Sequence, residues 1–296
     1  MNEHSETLCG ITTPLITPFV GTEIDWSGYD HVLDRVLAAG VDAVFPCGTT
    51  GEVASLTTTE RLDMIERTVA ATHDDVPVLV GGTGTSVAES VDWISEIESL
   101  GADIVVVTAP FFHPANEPDG YADFFEAVAA ESALPIILYN IPACVGDEIP
   151  LSVIETVATH PQIIGLKDSG GDLNYGMQAN DCTPDDFLVL QGFDPLLLPS
   201  LLLGFDGGIN AVSNVAPDAY VTLVDDPTSE NAMNVHNEVI RPLFELCAQY
   251  GFAPGVKAAL SAMDEVDEAS VRPPLRPVDP VAVSDVISAT RPNLRE

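Results

Sequence analysis

A chain of 296 residues with 46% hydrophobic side chains is long enough to bury one large core, with room for an appendage. Its 46 acidic residues against 10 basic ones give a formal charge of −36, which repels nucleic acid and anionic membranes, partners whose binding needs clustered Lys and Arg. It has no twenty-residue apolar run, and Met1 to Thr7 carry neither a basic stretch nor an apolar one, so a soluble, cytoplasmic protein is expected.

From Gly10 onward, short β-branched runs recur roughly every thirty residues and alternate with helical patterns, as in a series of βα units. A strand over residues 11–18 precedes a helix over 25–39, and a strand over 42–47 precedes a helix over 57–71. Thr57 or Thr58 followed by Glu60 gives that second helix a start signal. Strands follow at 76–81, 103–108, 135–140, 163–167, 187–191 and 208–212, and the helices after them at 87–100, 121–131, 151–159, 173–180, 194–203 and 218–224. Runs such as Ile104-Val105-Val106-Val107 do not alternate with polar residues, as expected of parallel strands covered on both faces. This inventory predicts an α/β fold, a (β/α)₈ barrel, although an open doubly wound sheet uses the same units. Past Asp226-Pro227 the strand pattern stops and helices are expected near 230–250, 255–263 and 280–290, with the rigid Val271-Arg272-Pro273-Pro274-Leu275 between the last two. The expected division is a barrel over 1–226 and a helical C-terminal extension over 227–296.

In a barrel the chemistry sits at the C-terminal ends of the strands. Lys167 ends the apolar run Ile163-Ile164-Gly165-Leu166 and is one of only two lysines, with Lys257. An amine nucleophile must lose its proton, and desolvation at an apolar strand end favours that loss; a structural cation paired with Asp168 is the competing account. Gly48-Thr49-Thr50-Gly51-Glu52 closes the second strand, where two glycines permit a tight turn and two hydroxyls with neighbouring N–H groups form an uncharged cradle for a carboxylate. A plain chain reversal explains it equally. Tyr139, at the end of the fifth strand, offers a phenol for proton transfer, or is a half-buried tyrosine with a satisfied hydroxyl. Gly81-Gly82-Thr83-Gly84 lacks the lysine ending of a phosphate loop, and the aromatics of Phe111-Phe112-His113-Pro114 are expected to pack rather than react. The five cysteines are widely spaced with no C-x-x-C pair, and no histidines fall in a close ligand spacing, so neither a disulfide framework nor a metal site is expected.

Taken together, Thr13-Pro14-Leu15-Ile16-Thr17-Pro18-Phe19, Gly48-Thr49-Thr50-Gly51-Glu52, Tyr139-Asn140-Ile141-Pro142 and Gly165-Leu166-Lys167-Asp168-Ser169 resemble the dihydrodipicolinate synthase/N-acetylneuraminate lyase superfamily, from about Gly10 to Arg272-Pro273-Pro274-Leu275-Arg276-Pro277. The resemblance implies a homotetrameric barrel enzyme without metal or organic cofactor. It implies Lys167 as a Schiff-base lysine and Tyr139 as proton shuttle, with Thr50 assisting. Thr49, Thr50 and Gly48 would hold a 2-keto acid's carboxylate, and Gly192 and Ile209 would line the pocket. Synthases of this superfamily carry an arginine two residues after the Y-N-V-P proline, where this chain has Cys144, and a thiol cannot replace a bidentate cation. The stretch Ala143-Cys144-Val145-Gly146 is more similar to archaeal 2-keto-3-deoxygluconate aldolases or N-acetylneuraminate lyases. Phosphorylated substrates are associated with an arginine where this chain has Ala115, so the expected reaction is cleavage of a non-phosphorylated 2-keto-3-deoxy sugar acid to pyruvate and an aldehyde, with 4-hydroxy-tetrahydrodipicolinate synthesis as an alternative. Many members carry a relay tyrosine where Phe111 and Phe112 stand here, which leaves His113 as a candidate replacement and a related dehydration as an alternative reaction. A keto-acid-binding protein without turnover is the alternative from outside the enzymes.

Overall fold

The computed structural model describes residues 8–290 apart from 74 and 83. The two ends of the expected division, and Thr83 of the Gly81-Gly82-Thr83-Gly84 loop, lie outside the described residues. Among the described residues there are ten strands: β1 (Ile11–Thr13), β2 (Phe19–Val20), β3 (Glu23–Ile24), β4 (Ala43–Val44), β5 (Leu79–Gly81), β6 (Ile104–Thr108), β7 (Ile136–Asn140), β8 (Ile163–Asp168), β9 (Leu188–Gln191) and β10 (Gly207–Ile209). Eight pair in the order β4-β1-β10-β9-β8-β7-β6-β5, all parallel, and β2 with β3 form a small antiparallel hairpin. The two ends of the eight-stranded sheet meet through a parallel bridge between Val44 and Val78, with Val44 N donating to the Pro77 carbonyl at 3.1 Å. The ring is therefore a (β/α)₈ barrel and not an open sheet.

Both faces of the wall are apolar. Ile104 and Val106 point into the barrel with Phe45, Ile137, Tyr139, Leu190 and Ile209, while Val105 and Val107 point out against the helices. Two-sided burial is why the run over 104–107 reads as unbroken hydrophobic sequence.

The helices are α1 (Trp26–Ala38), α2 (Thr58–Thr72), α3 (Val87–Ser99), α4 (Asp119–Glu131), α5 (Pro142–Val145), α6 (Leu151–Val157), α7 (Leu173–Cys182), α8 (Leu197–Leu202), α9 (Pro217–Asp225), α10 (Glu230–Val235), α11 (Arg241–Tyr250), α12 (Phe252–Ala262) and α13 (Ser284–Thr290). The start signal of α2 is a full capping box: the Thr57 hydroxyl accepts from Glu60 N at 3.2 Å, and the Glu60 carboxylate accepts from Thr57 N at 2.8 Å. The sequence pattern misses the β2/β3 hairpin and the one-turn α5, both too short to show a period. It also overextends the strand over 11–18, because Pro14 and Pro18 cannot donate to a ladder. The helix expected over 230–250 runs through a π-helical turn at His236–Ile240. Pro242 sits at the start of α11 without an N–H to give the preceding turn, which accounts for the local change of hydrogen-bond period. The C-terminal helices share the barrel's outer core: Val239, Leu243, Val256, Leu260, Val283 and Ile287 are buried in the same cluster as Leu15, Val36 and Val189.

Candidate active site

Adjacent strands β7 and β8 bring Tyr139 and Lys167 opposite each other in register. Both are almost fully buried, at 6% and 4% exposure. Lys167 Nζ lies 3.9 Å from the centre of the Tyr139 ring and 5.4 Å from that of Phe45. The amine thus faces the negative faces of two π systems instead of a carboxylate. Asp168 does not pair with it. Side chains alternate across a strand, and the Asp168 carboxylate takes hydrogen bonds from Asn140 Nδ2 at 2.7 Å and Gly170 N at 3.0 Å. Burial raises the Asp168 carboxyl's pKa, and these two bonds oppose the rise. Of the two accounts of Lys167, the structural cation paired with Asp168 is therefore not what the fold builds.

Gly192 follows β9 and donates its N–H to the Asp168 carbonyl at 2.6 Å. A Cβ here would lie 2.0 Å from Ser169 Oγ, 2.9 Å from the Asp168 carbonyl oxygen and 3.2 Å from Lys167 Cε. Only a residue without a side chain leaves that space beside the lysine. Ile209, at the end of β10, packs in the barrel interior with Tyr139 and Phe45. Two residues beyond Gly192, the buried Asp194 accepts from Tyr220 Oη and Val212 N, and burial pushes its carboxyl up to about 6 against those bonds and the charge of Lys167.

The threonine turn follows β4. Cys47 (φ 57°) and Glu52 (φ 58°) flank it in the left-handed region, and the Gly48 carbonyl accepts from Gly51 N at 3.1 Å and Val53 N at 3.3 Å. Thr17 Oγ1 donates to the Gly51 carbonyl at 2.7 Å. A Cβ at Gly48 would touch the Phe45 ring at 3.3 Å, which ties the turn to the floor beneath Lys167. Thr49 is exposed and Thr50 buried. Among the described residues, neither hydroxyl nor the Tyr139 phenol has a hydrogen-bond partner, and no bond joins Thr50 to Tyr139. All three belong to the C-terminal end of the parallel strands.

Cys144 lies on α5, exposed as a residue but with its thiol partly desolvated, which raises the thiol pKa against the lowering charge of Lys167. The expectation that Phe111 and Phe112 pack is not met within this chain: they are 47% and 72% exposed in the loop after β6, and His113 stands edge-on to Phe112 at 5.0 Å. The loop packs on the core through Ala109 and Ala115, and the two rings between them are left outside. Sequence reasoning misses Phe45 as an aromatic floor, since alternation gives a residue's face but not what lies across the barrel. It also misses the role of Lys257, which is buried and paired with Glu52. Among the described residues, no group of three or more His, Cys, Asp or Glu is placed to hold a metal ion, and no helix is long and apolar enough to cross a membrane.

A closed (β/α)₈ barrel with a buried lysine and tyrosine side by side at its C-terminal strand ends defines a class of barrel enzymes. Residues 7–289 match the model of the dihydrodipicolinate synthetase family. The chain is 32% identical over 284 residues to an uncharacterized DapA-like lyase of Pyrobaculum arsenaticum, covering 91% of this chain and 93% of that protein. It is also 32% identical over 273 residues to the 4-hydroxy-tetrahydrodipicolinate synthase of Bacillus subtilis, covering 90% and 93%. Among solved structures, a prophage protein of E. coli K12 belonging to the dihydrodipicolinic acid synthase family, in complex with pyruvate, superimposes with a TM-score of 0.87 at 29% identity, covering 96% of this chain and 98% of that one. This chain belongs to the dihydrodipicolinate synthetase family.

Proposed function

We propose that the protein is a Schiff-base aldolase that cleaves a 2-keto-3-deoxy sugar acid, such as 2-keto-3-deoxygluconate, to pyruvate and an aldehyde. The observation that carries the mechanism is Lys167 Nζ, buried at a strand end 3.9 Å from the Tyr139 ring and without an ion-pair partner among the described residues. The amine adds to the C2 ketone and expels water, forming a protonated imine. Loss of the C4 hydroxyl proton then breaks the C3–C4 bond, and its electron pair passes into the imine to give an enamine. Protonation at C3 and hydrolysis release pyruvate and restore the lysine. Tyr139 carries the protons, and Thr49, Thr50 and Gly48 receive the carboxylate. Gly192 and Ile209 bound the space for the ketone. The imine is itself the electron sink, so this chemistry asks for no metal or organic cofactor.

Cys144 directs the choice of substrate. A synthase that condenses pyruvate with a carboxylate-bearing aldehyde needs a cation opposite that carboxylate, and a thiol within electrostatic reach of Lys167 offers none. The names of the relatives favour a second reading, 4-hydroxy-tetrahydrodipicolinate synthesis, which the same lysine would serve. The working form is a homotetramer with a small-molecule keto acid as its partner, and 46 acidic residues against 10 basic ones suit a salt-rich cytoplasm, where concentrated cations screen the self-repulsion.

Borohydride reduction with pyruvate, followed by mass mapping, tests the mechanism: a reduced pyruvate adduct is expected on Lys167, and its absence ends the Schiff-base reading. Incubation with 2-keto-3-deoxygluconate in concentrated KCl should release pyruvate. No release, together with turnover of a carboxylate-bearing aldehyde, would give the function to the synthase.

A further inference from the structure

The second lysine takes no part in that chemistry, and its surroundings tie it to the carboxylate turn. Lys257, on α12, is fully buried, and its Nζ donates to the Glu52 carboxylate and, at 2.9 Å, to the Ser270 carbonyl. The other Glu52 oxygen accepts from Arg272 N at 3.0 Å. Nζ also lies 4.0 Å from the centre of the Phe19 ring, and the Arg272 guanidinium covers the same ring at 4.6 Å. That guanidinium in turn donates to the carbonyls of Thr22 and Ser55 and to Glu60. The Glu52 carboxylate, next to the turn, is thus gripped by groups 205 and 220 residues further along the chain.

The backbone of Glu52 adds a second observation. It holds φ 58°, a conformation glycine reaches without strain and a side chain does not. Its N–H closes the turn on the Thr49 carbonyl at 3.1 Å. Glu52 thus joins the turn through its N–H to α12 and to the segment around Arg272 through its buried carboxylate. Burial draws the Lys257 ammonium down to about 8, and the Glu52 charge opposes that fall.

We infer that Glu52 and Lys257 are positioning residues for the keto acid's carboxylate: their buried pair holds the backbone of Gly48-Thr49-Thr50-Gly51 in the shape that receives it. This rests on the reading of Thr49 and Thr50 as the carboxylate cradle and of Lys167 as the imine-forming lysine. The pair touches no reacting atom and acts only through the turn.

Removing one partner strands a buried charge, so the informative variant carries both Glu52→Gln and Lys257→Met, which leaves neither charge. Borohydride trapping on Lys167 is measured against concentration for pyruvate and for acetone, a ketone without the carboxylate. The expected result is a half-saturating pyruvate concentration raised about tenfold in the double variant, with full trapping at saturation and the acetone curve unchanged. Glu52→Asp keeps the charge but shortens its reach, and should show a smaller loss, again confined to pyruvate; it carries the test if the double variant does not fold. A pyruvate curve unchanged in a folded variant, or equal losses for pyruvate and acetone, overturns the inference while leaving the Schiff base intact. Wild-type protein that traps neither ketone overturns the proposed function and this inference with it.

Discussion

At Gly192 a hydrogen stands where any other residue would place a carbon 2.0 Å from Ser169 Oγ and 2.9 Å from a backbone carbonyl. Gly192→Ala should therefore push Lys167 and Ser169 out of place and destabilise the fold by roughly 1–3 kcal/mol, as overpacking does. Urea unfolding measures the second effect, and an unchanged midpoint would show that the strand end yields freely. Tyr139→Phe keeps the ring face against Lys167 Nζ and removes only the hydroxyl. Pyruvate should still be trapped, while kcat for cleavage falls about 10²–10⁴-fold, the usual contribution of a proton-transfer group; unaltered kcat would take Tyr139 out of the proton path. The strand-end positions of Lys167 and Tyr139 were legible because each ends an apolar run. Phe45 was not, because the sequence does not say which strands face each other across the barrel.

Between elements, the segment before α13 is locked to the start of α2 by Arg272 and Glu60, with guanidinium–carboxylate distances of 2.8 and 2.5 Å. The hydrogen bonds from Arg272 are the foremost cause holding the Glu60 carboxyl down at about 2, and those from Thr57 assist. A carboxyl lowered on folding contributes stability above its unfolded pKa of about 4.3, and that contribution is lost as pH falls toward its folded value. Thermal midpoints should fall between about pH 4.5 and about pH 2, and Arg272→Leu should flatten that slope. Parallel slopes in the two proteins would deny the pair its role. The capping box was readable from Thr57 and Glu60, which are neighbours in sequence. Its link to Arg272, 212 residues away, was not.

For the whole molecule, the proposed salt-rich setting is a question of charge. Both lysines are buried, and several arginines are already paired: Arg67 with Asp30, Arg272 with Glu60 and Arg35 with Glu265. Few cations remain for the other acidic side chains, and self-repulsion follows from a formal charge of −36. Raising KCl from about 0.1 M to about 2 M shortens the reach of that repulsion and should raise the thermal midpoint by several degrees. A midpoint indifferent to salt would remove the case for a salt-rich cytoplasm. Sedimentation under the same conditions tests the tetramer, and a monomer in high salt would refute it.

The sequence by itself determined the order and kind of the βα units, the helix that opens on Thr57, and the placing of Lys167, Tyr139 and the paired threonines at strand ends. Those features repeat at short range, so a periodicity of side chains along the chain records them. The tertiary structure decided the rest: closure through Val44 and Val78, the aromatic floor of Phe45, the open space at Gly192 and the union of Glu52 with Lys257. Each depends on residues far apart in the chain meeting in a close-packed interior, and no local pattern records that meeting. Lys167 could be singled out from the sequence, but only the fold shows what its amine faces.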